Sequence, residues 1–214
     1  MKVTIIRHGK TQSNIERRYA GCCTDDHLAD EGRSELSPVM ESKTDKRDSA
    51  MLFVSPMIRA RETAEILFPG VRQTVIEELK EIDFGIFNGK SHAELDGDPV
   101  YQAWIDSQCM TPIPEGEDWE SFDKRTMQGF RKALQQAALC AKEDGGCDEV
   151  YIVAHGGTVM SVMSSLIGGE YYNFYADNGC GYTIDLEVDD AGNIIAAGAY
   201  DRFCSGVRAG SSDR

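Results

Sequence analysis

Two of the four histidines in this chain stand at the ends of apolar stretches. His8 follows Val3-Thr4-Ile5-Ile6-Arg7, and His155 follows Val150-Tyr151-Ile152-Val153-Ala154. Glycine comes next in both cases, as Gly9 and as Gly156-Gly157. An imidazole in such a turn can serve as nucleophile, as base or as hydrogen-bond donor. Arg7 and Arg59 add planar, forked donors suited to phosphate or carboxylate oxygens. Glu77, Glu78, Glu81 and Asp83 form an acidic run from which a proton donor could come. Taken singly, each has an ordinary alternative. His8 could be a hydrogen-bonded loop histidine, Arg59 a surface ion pair, His155 a core histidine at a strand end, and any of the acids a solvated charge.

The elements that must position these residues read as alternating strands and helices. Residues 2–6, 51–54, 73–76 and 150–154 have the short apolar runs of buried strands. Asp30 opens an expected helix over 31–46, which Pro38 must kink or restart. Ser55-Pro56 looks like a capped helix start ahead of Ile58, Ala60, Ala64 and Leu67. Helical spacing recurs over 118–142, with Gly145-Gly146 as its stop, and again over 158–167. Strands at 181–188 and 193–201 flank the turn Asp189-Asp190-Ala191-Gly192-Asn193. This order predicts an α/β fold, a three-layer α/β/α sandwich with a mostly parallel central sheet and an antiparallel edge. Ligands of such sheets bind beyond the carboxyl ends of the strands, which brings Arg7, His8, Ser55 and His155 to one rim. We expect a single domain over 1–204, with a helical insert near 90–117 and a disordered tail over 205–214.

Arg7-His8-Gly9-Lys10-Thr11-Gln12-Ser13-Asn14 resembles the opening motif of the histidine phosphatase superfamily, the phosphoglycerate-mutase-like fold. Four further blocks match in the same order. They are Tyr19-Ala20-Gly21 with Asp25 and Glu31-Gly32, Ser55-Pro56-Met57-Ile58-Arg59-Ala60, Leu79-Lys80-Glu81-Ile82-Asp83-Phe84-Gly85, and Val153-Ala154-His155-Gly156-Gly157. The resemblance implies that His8 is the nucleophile, that Arg7, Arg59 and His155 bind the phosphoryl group, and that Asn14, Gly21 and Gly156 lie beside it. It also selects Glu81 from the acidic run as proton donor; the residues alone leave that choice open. The Glu81–Gly85 loop is similar to that of the α-ribazole and broad-specificity phosphatase branch. Lys10, Ala29 and Phe87-Asn88 depart from that branch, which leaves the substrate open.

The net charge of −14 excludes the positive footprint of a nucleic-acid binder. No apolar run reaches the roughly 18 residues of a membrane span. Arg7 interrupts the first apolar run too early for a secretion signal, so a cytoplasmic location is expected. The seven cysteines are odd in number and lack Cys-x-x-Cys spacing, which reads as reduced thiols. Lys2, Arg7, Lys10, Arg17 and Arg18 against Glu16 make the first 18 residues locally basic, fit to attract an anion. We expect no metal and no cofactor, and a small phosphorylated metabolite as partner. Phosphoryl transfer of the mutase type is the alternative, disfavoured because only Lys90 supplies a cation over 90–117. A phospho-ligand binder without turnover is a further alternative, against which the intact His8, Arg59, Glu81 and His155 speak.

Overall fold

A computed structural model describes residues 1–39, 50–144 and 149–205 of the chain. Its elements run β1 (Lys2–Arg7), α1 (Gln12–Ile15), α2 (Asp30–Glu35), β2 (Ala50–Val54), α3 (Ile58–Leu67) and β3 (Gln73–Val75). There follow α4 (His92–Leu95), α5 (Pro99–Asp106), α6 (Trp119–Asp144), β4 (Glu149–Ala154), α7 (Gly156–Ile167), β5 (Cys180–Val188) and β6 (Ile194–Cys204). The six strands form one sheet in the order β3-β2-β4-β1-β5-β6. β3, β2, β4 and β1 pair in parallel, and β5 runs antiparallel to both β1 and β6.

Strand periodicity sorts the core between the two faces of the sheet. Val3, Ile5, Phe53, Val150 and Ile152 pack with Phe130 and Leu134 of α6 and Val159 and Val162 of α7. Ile6, Leu52, Val54, Tyr151 and Val153 pack with Ala60, Ala64 and Leu67 of α3. Helices therefore cover both faces, the expected three-layer α/β/α sandwich, and β1, β2 and β4 at the centre are apolar on both sides because both sides are buried there. The segment around α4 and α5 has a small core of its own in Phe87, Leu95, Tyr101, Trp104 and Ile113.

The expected helix over 31–46 is shorter: α2 ends at Glu35, and Leu36 is already extended at ψ 137°. Pro38 stands just beyond, and its ring disfavours helical backbone at Ser37, so the helix cannot run on through this segment unbroken. Residues 40–46 of that span, the Gly145-Gly146 stop and the tail beyond Ser205 lie outside the described residues. Ser205, assigned to the tail, is buried, and its hydroxyl donates to the Gly179 carbonyl. Ser55 is not the cap residue of α3, which begins after Met57; Met57 makes no side-chain cap. The reduced-thiol expectation is corrected for one pair, because Cys180 and Cys204 form a disulfide. They face each other across β5 and β6 with Cα atoms 4.1 Å apart, a register that spacing along the chain does not reveal. No helix among the described residues is long and apolar enough to cross a membrane.

Candidate active site

Parallel pairing of β1 with β4 sets Arg7 opposite Ala154, so the residues that follow each strand meet at one edge of the sheet. The His8 and His155 rings lie with centroids 5.2 Å apart. His8 Nδ1 is 2.7 Å from the Gly9 carbonyl, which can only accept, so Nδ1 carries the proton and Nε2 the lone pair. Nε2 accepts from Arg59 Nε at 3.2 Å. Burial, then the Arg59 and Arg7 charges, hold the His8 pKa well below the ordinary histidine value, which keeps the ring neutral.

His155 is fully buried and also held neutral, by burial first and by Arg59 next. Its Nε2 lies 2.7 Å from Ser55 Oγ, while that oxygen accepts from the Met57 amide. Among the described residues His155 Nε2 is the acceptor within reach of the buried Ser55 hydroxyl, so Ser55 donates to Nε2 and the proton of His155 sits on Nδ1. That Nδ1 is buried and has no partner among the described residues, and the same holds for Arg7 Nε. The other arm of Arg7 is anchored through Nη1 to the Ala176 carbonyl at 2.8 Å. Two buried donors without partners are groups that the oxygens of an anion can satisfy.

Arg59 does not present the open fork that its residue type suggests. Its terminal nitrogens donate to the carbonyls of Ala20, Gly21 and Thr24, and it is 0% exposed. It acts on the site through its charge and through the Nε hydrogen at His8.

Glu81 is 7% exposed, and both its oxygens are held by amides, Oε1 by Ile82 at 3.0 Å and Oε2 by Gly157 at 3.2 Å. Burial raises its pKa above the usual carboxylate value, against the opposing pull of those amides and of Arg59. A raised pKa favours the protonated acid that a leaving alkoxide requires. Gly157 is bound to this arrangement, because a Cβ there would come within 2.4 Å of Glu81 Oε1. The start of α7 thus faces the Glu81 carboxyl group.

Of these groups Arg7, His8, Glu81 and Gly157 line a cleft of about 420 Å³, with Asn14 and Gly156 among the other lining residues; Arg59 and His155 stand behind that lining. Asn14, in the cleft lining, uses its side-chain oxygen to accept from Thr11 and Asn178. Gly21 is not among the cleft-lining residues, although its neighbour Ala20 is. A Cβ at Gly21 would lie 2.5 Å from the Ile82 carbonyl, so the loop carrying Glu81 packs directly on the Gly21 backbone. The basic patch is also partly neutralised, Lys10 by Glu31 and Glu35, and Arg18 by Glu16 and Glu94.

Sequence reasoning missed Asn178 and Tyr175. Asn178 donates to the His8 carbonyl at 2.9 Å, and the Tyr175 ring lies under the Arg7 guanidinium at 5.5 Å. No local pattern marks either residue; they arrive because the chain entering β5 lies beside β1. The described residues that could gather round a metal are Cys22, Cys23 and Asp83, partly exposed and outside the cleft lining.

An adenosylcobalamin/α-ribazole phosphatase of Salmonella typhimurium is 26% identical over 194 residues, 87% of this chain and 91% of that protein. A glucosyl-3-phosphoglycerate phosphatase of Mycobacterium tuberculosis is 28% identical over 190 residues, 84% of this chain and 81% of that protein. The crystal structure of the α-ribazole phosphatase from Shigella flexneri superposes with a TM-score of 0.69 at 23% identity, covering 93% of this chain and 96% of that one. Residues 3–194 match the model of the histidine phosphatase superfamily (branch 1), and the chain belongs to that family.

Proposed function

We propose that this protein hydrolyses small phosphate monoesters through a phosphohistidine on His8 Nε2, with Glu81 as proton donor and no metal ion. The observation that carries this reading is the pair of buried, unpartnered donors, Arg7 Nε and His155 Nδ1, on the two side chains that flank His8, Arg7 in sequence and His155 with its ring centroid 5.2 Å away. Phosphoryl oxygens would satisfy both donors, and the phosphorus would then face the nitrogen lone pair. Nε2 forms the bond to phosphorus as the bond to the ester oxygen breaks, and Glu81 gives its proton to that oxygen. Water then attacks the phosphohistidine and passes a proton to the Glu81 carboxylate, which releases phosphate and restores neutral His8. Positive charge comes from Arg7 and Arg59, so the site needs no cation to offset the phosphate.

Hydrolysis is favoured over transfer to a second phosphorylated product by the charge of the surroundings. Beyond Arg7, the cleft is lined by the cations Arg17 and Arg18, and Arg18 is paired with Glu16 and Glu94. The phosphatase names of the relatives support the same choice. The reading is tested by turnover of para-nitrophenyl phosphate in a chelator, together with acid-labile phosphate trapped on the protein by rapid quenching. We expect His8→Ala to abolish the trapped phosphate and to lower turnover by at least about 10⁴-fold. Undiminished turnover in that variant would refute the role of His8.

A further inference from the structure

A second cavity, of about 500 Å³, opens off the cleft and shares Tyr19, Phe84, Gly157, Met160 and Tyr175 with it. Its remaining walls include Trp104 and Ile105 of α5, Trp119 at the start of α6, and the turn at Tyr171 and Tyr172. Among the described residues that line it, none is Asp, Glu, Lys, Arg or His. Its polar atoms are few and in part already engaged: Tyr19 shares a hydrogen bond with Tyr101, and Tyr172 donates to Cys109.

The position of Glu81 connects the two cavities. Ile82, whose amide holds Glu81 Oε1, lines the second cavity; Gly157, whose amide holds Oε2, lines both. The acid therefore stands at the junction. An ester with its phosphorus at His8 and its bridging oxygen at Glu81 has its alcohol directed into the second cavity.

The walls specify the chemistry of that alcohol. A carboxylate, ammonium or second phosphate would lose water there and find no countercharge, which is costly. Aromatic rings meet it instead. Trp119 and Tyr171 pack edge to face with centroids 4.4 Å apart, and Tyr19 and Trp104 do the same at 5.6 Å. Rings so arranged offer faces and edges to a further flat ring. The mouth carries exposed apolar groups, with Ile105 at 38% and Tyr172 at 45% exposure. The volume falls in the range that takes a small organic group.

We propose that this cavity binds the alcohol part of the substrate, and that the alcohol carries an uncharged, planar aromatic group. The proposal rests on the reading of His8 and Glu81 given above, and its test separates the two. Values of kcat/KM are measured for phenethyl phosphate, propyl phosphate and phosphoserine. We expect phenethyl phosphate to exceed each of the others by at least about 10-fold. Both tryptophans of the chain, Trp104 and Trp119, line the cavity, so intrinsic fluorescence reads its occupancy without turnover. His8→Ala protein titrated with phenethyl phosphate is expected to give a saturable fluorescence change that propyl phosphate does not give. Ile105→Arg, at an exposed position, is expected to narrow the phenethyl-to-phosphoserine ratio by at least about 5-fold. Equal kcat/KM values, or a preference for phosphoserine, with no fluorescence response would overturn the cavity assignment and leave the phosphohistidine reading standing. A saturable fluorescence response with turnover of none of the three esters would support the cavity and count against the phosphohistidine reading.

Discussion

The cleft at His8 and the aromatic cavity beside it are built on opposite principles. The cleft is placed by the ends of β1 and β4, and its polar groups are buried, charged and oriented by neighbours. The cavity is walled in part by α5, by the turn at Tyr171–Phe174 and by the start of α6, and its lining is uncharged. Strand ends in a sheet with both faces packed hold a side chain closely, which transition-state chemistry requires. A lining from an appended segment can change its side chains without moving the phosphoryl site. Reaction type and substrate preference are thus carried by separate parts of the molecule, joined at Glu81 and Gly157.

The sharpest test of this division falls on Glu81. Glu81→Gln is expected to lower kcat/KM for an alkyl ester by about 10²–10⁴-fold, and much less for para-nitrophenyl phosphate, whose phenolate leaves without a proton. Steady-state kinetics on both esters decides it, and equal losses would remove Glu81 from the donor role. Because the pKa of Glu81 is raised, alkyl-ester activity is expected to persist into higher pH than an ordinary carboxylic acid would allow, then to fall as Glu81 ionises.

The next effect in size concerns the shared wall. In Gly157→Ala the new methyl group would meet Glu81 Oε1, with a Cβ distance of 2.4 Å before any adjustment. Displacing the acid by a fraction of an ångström is expected to cost about 10²-fold on alkyl esters. If the loss were confined to aromatic esters, the residue would belong to the cavity alone.

The smallest effect is one of stability, and it isolates the cleft. His8 and His155 have native pKa values held below the unfolded value of about 6.5. Below that pH the unfolded chain takes up protons that the native sites refuse, so their stabilisation is present above it and lost as pH falls through the native values. Each histidine contributes a slope of at most about 1.4 kcal/mol per pH unit. Glu81 has the opposite sign: its raised pKa stabilises below the unfolded carboxylate value, and that gain fades as pH rises through the native value. Denaturant unfolding between pH 5 and 7.5 is expected to show a shallower slope in His8→Ala than in the parent. Superimposable slopes would mean that His8 is not held neutral.

Much of the fold was legible because its signals are local. Strands buried on both faces must be continuous apolar runs, and helices carry their own period, so the α/β alternation could be read directly. The helix expected over 31–46, with Pro38 kinking or restarting it, is interrupted from Leu36, ahead of Pro38; its part beyond residue 39 lies outside the described residues. The disulfide was missed because Cys180 and Cys204 are neighbours only through the register of β5 on β6.

The sequence by itself determined the order of the motifs, the two strand-end histidines and the family, since these depend on residue type and near-neighbour spacing. Tertiary structure decided the rest of the site. It turned the fork of Arg59 onto carbonyls rather than into the cleft, engaged Ser55 with His155, and brought Asn178 to the back of His8. It also set Glu81, alone of its acidic run, against the start of α7. The physical reason is the same in each case. Hydrogen bonds between residues 35 to 170 positions apart depend on which strands lie side by side, and no local pattern carries that information.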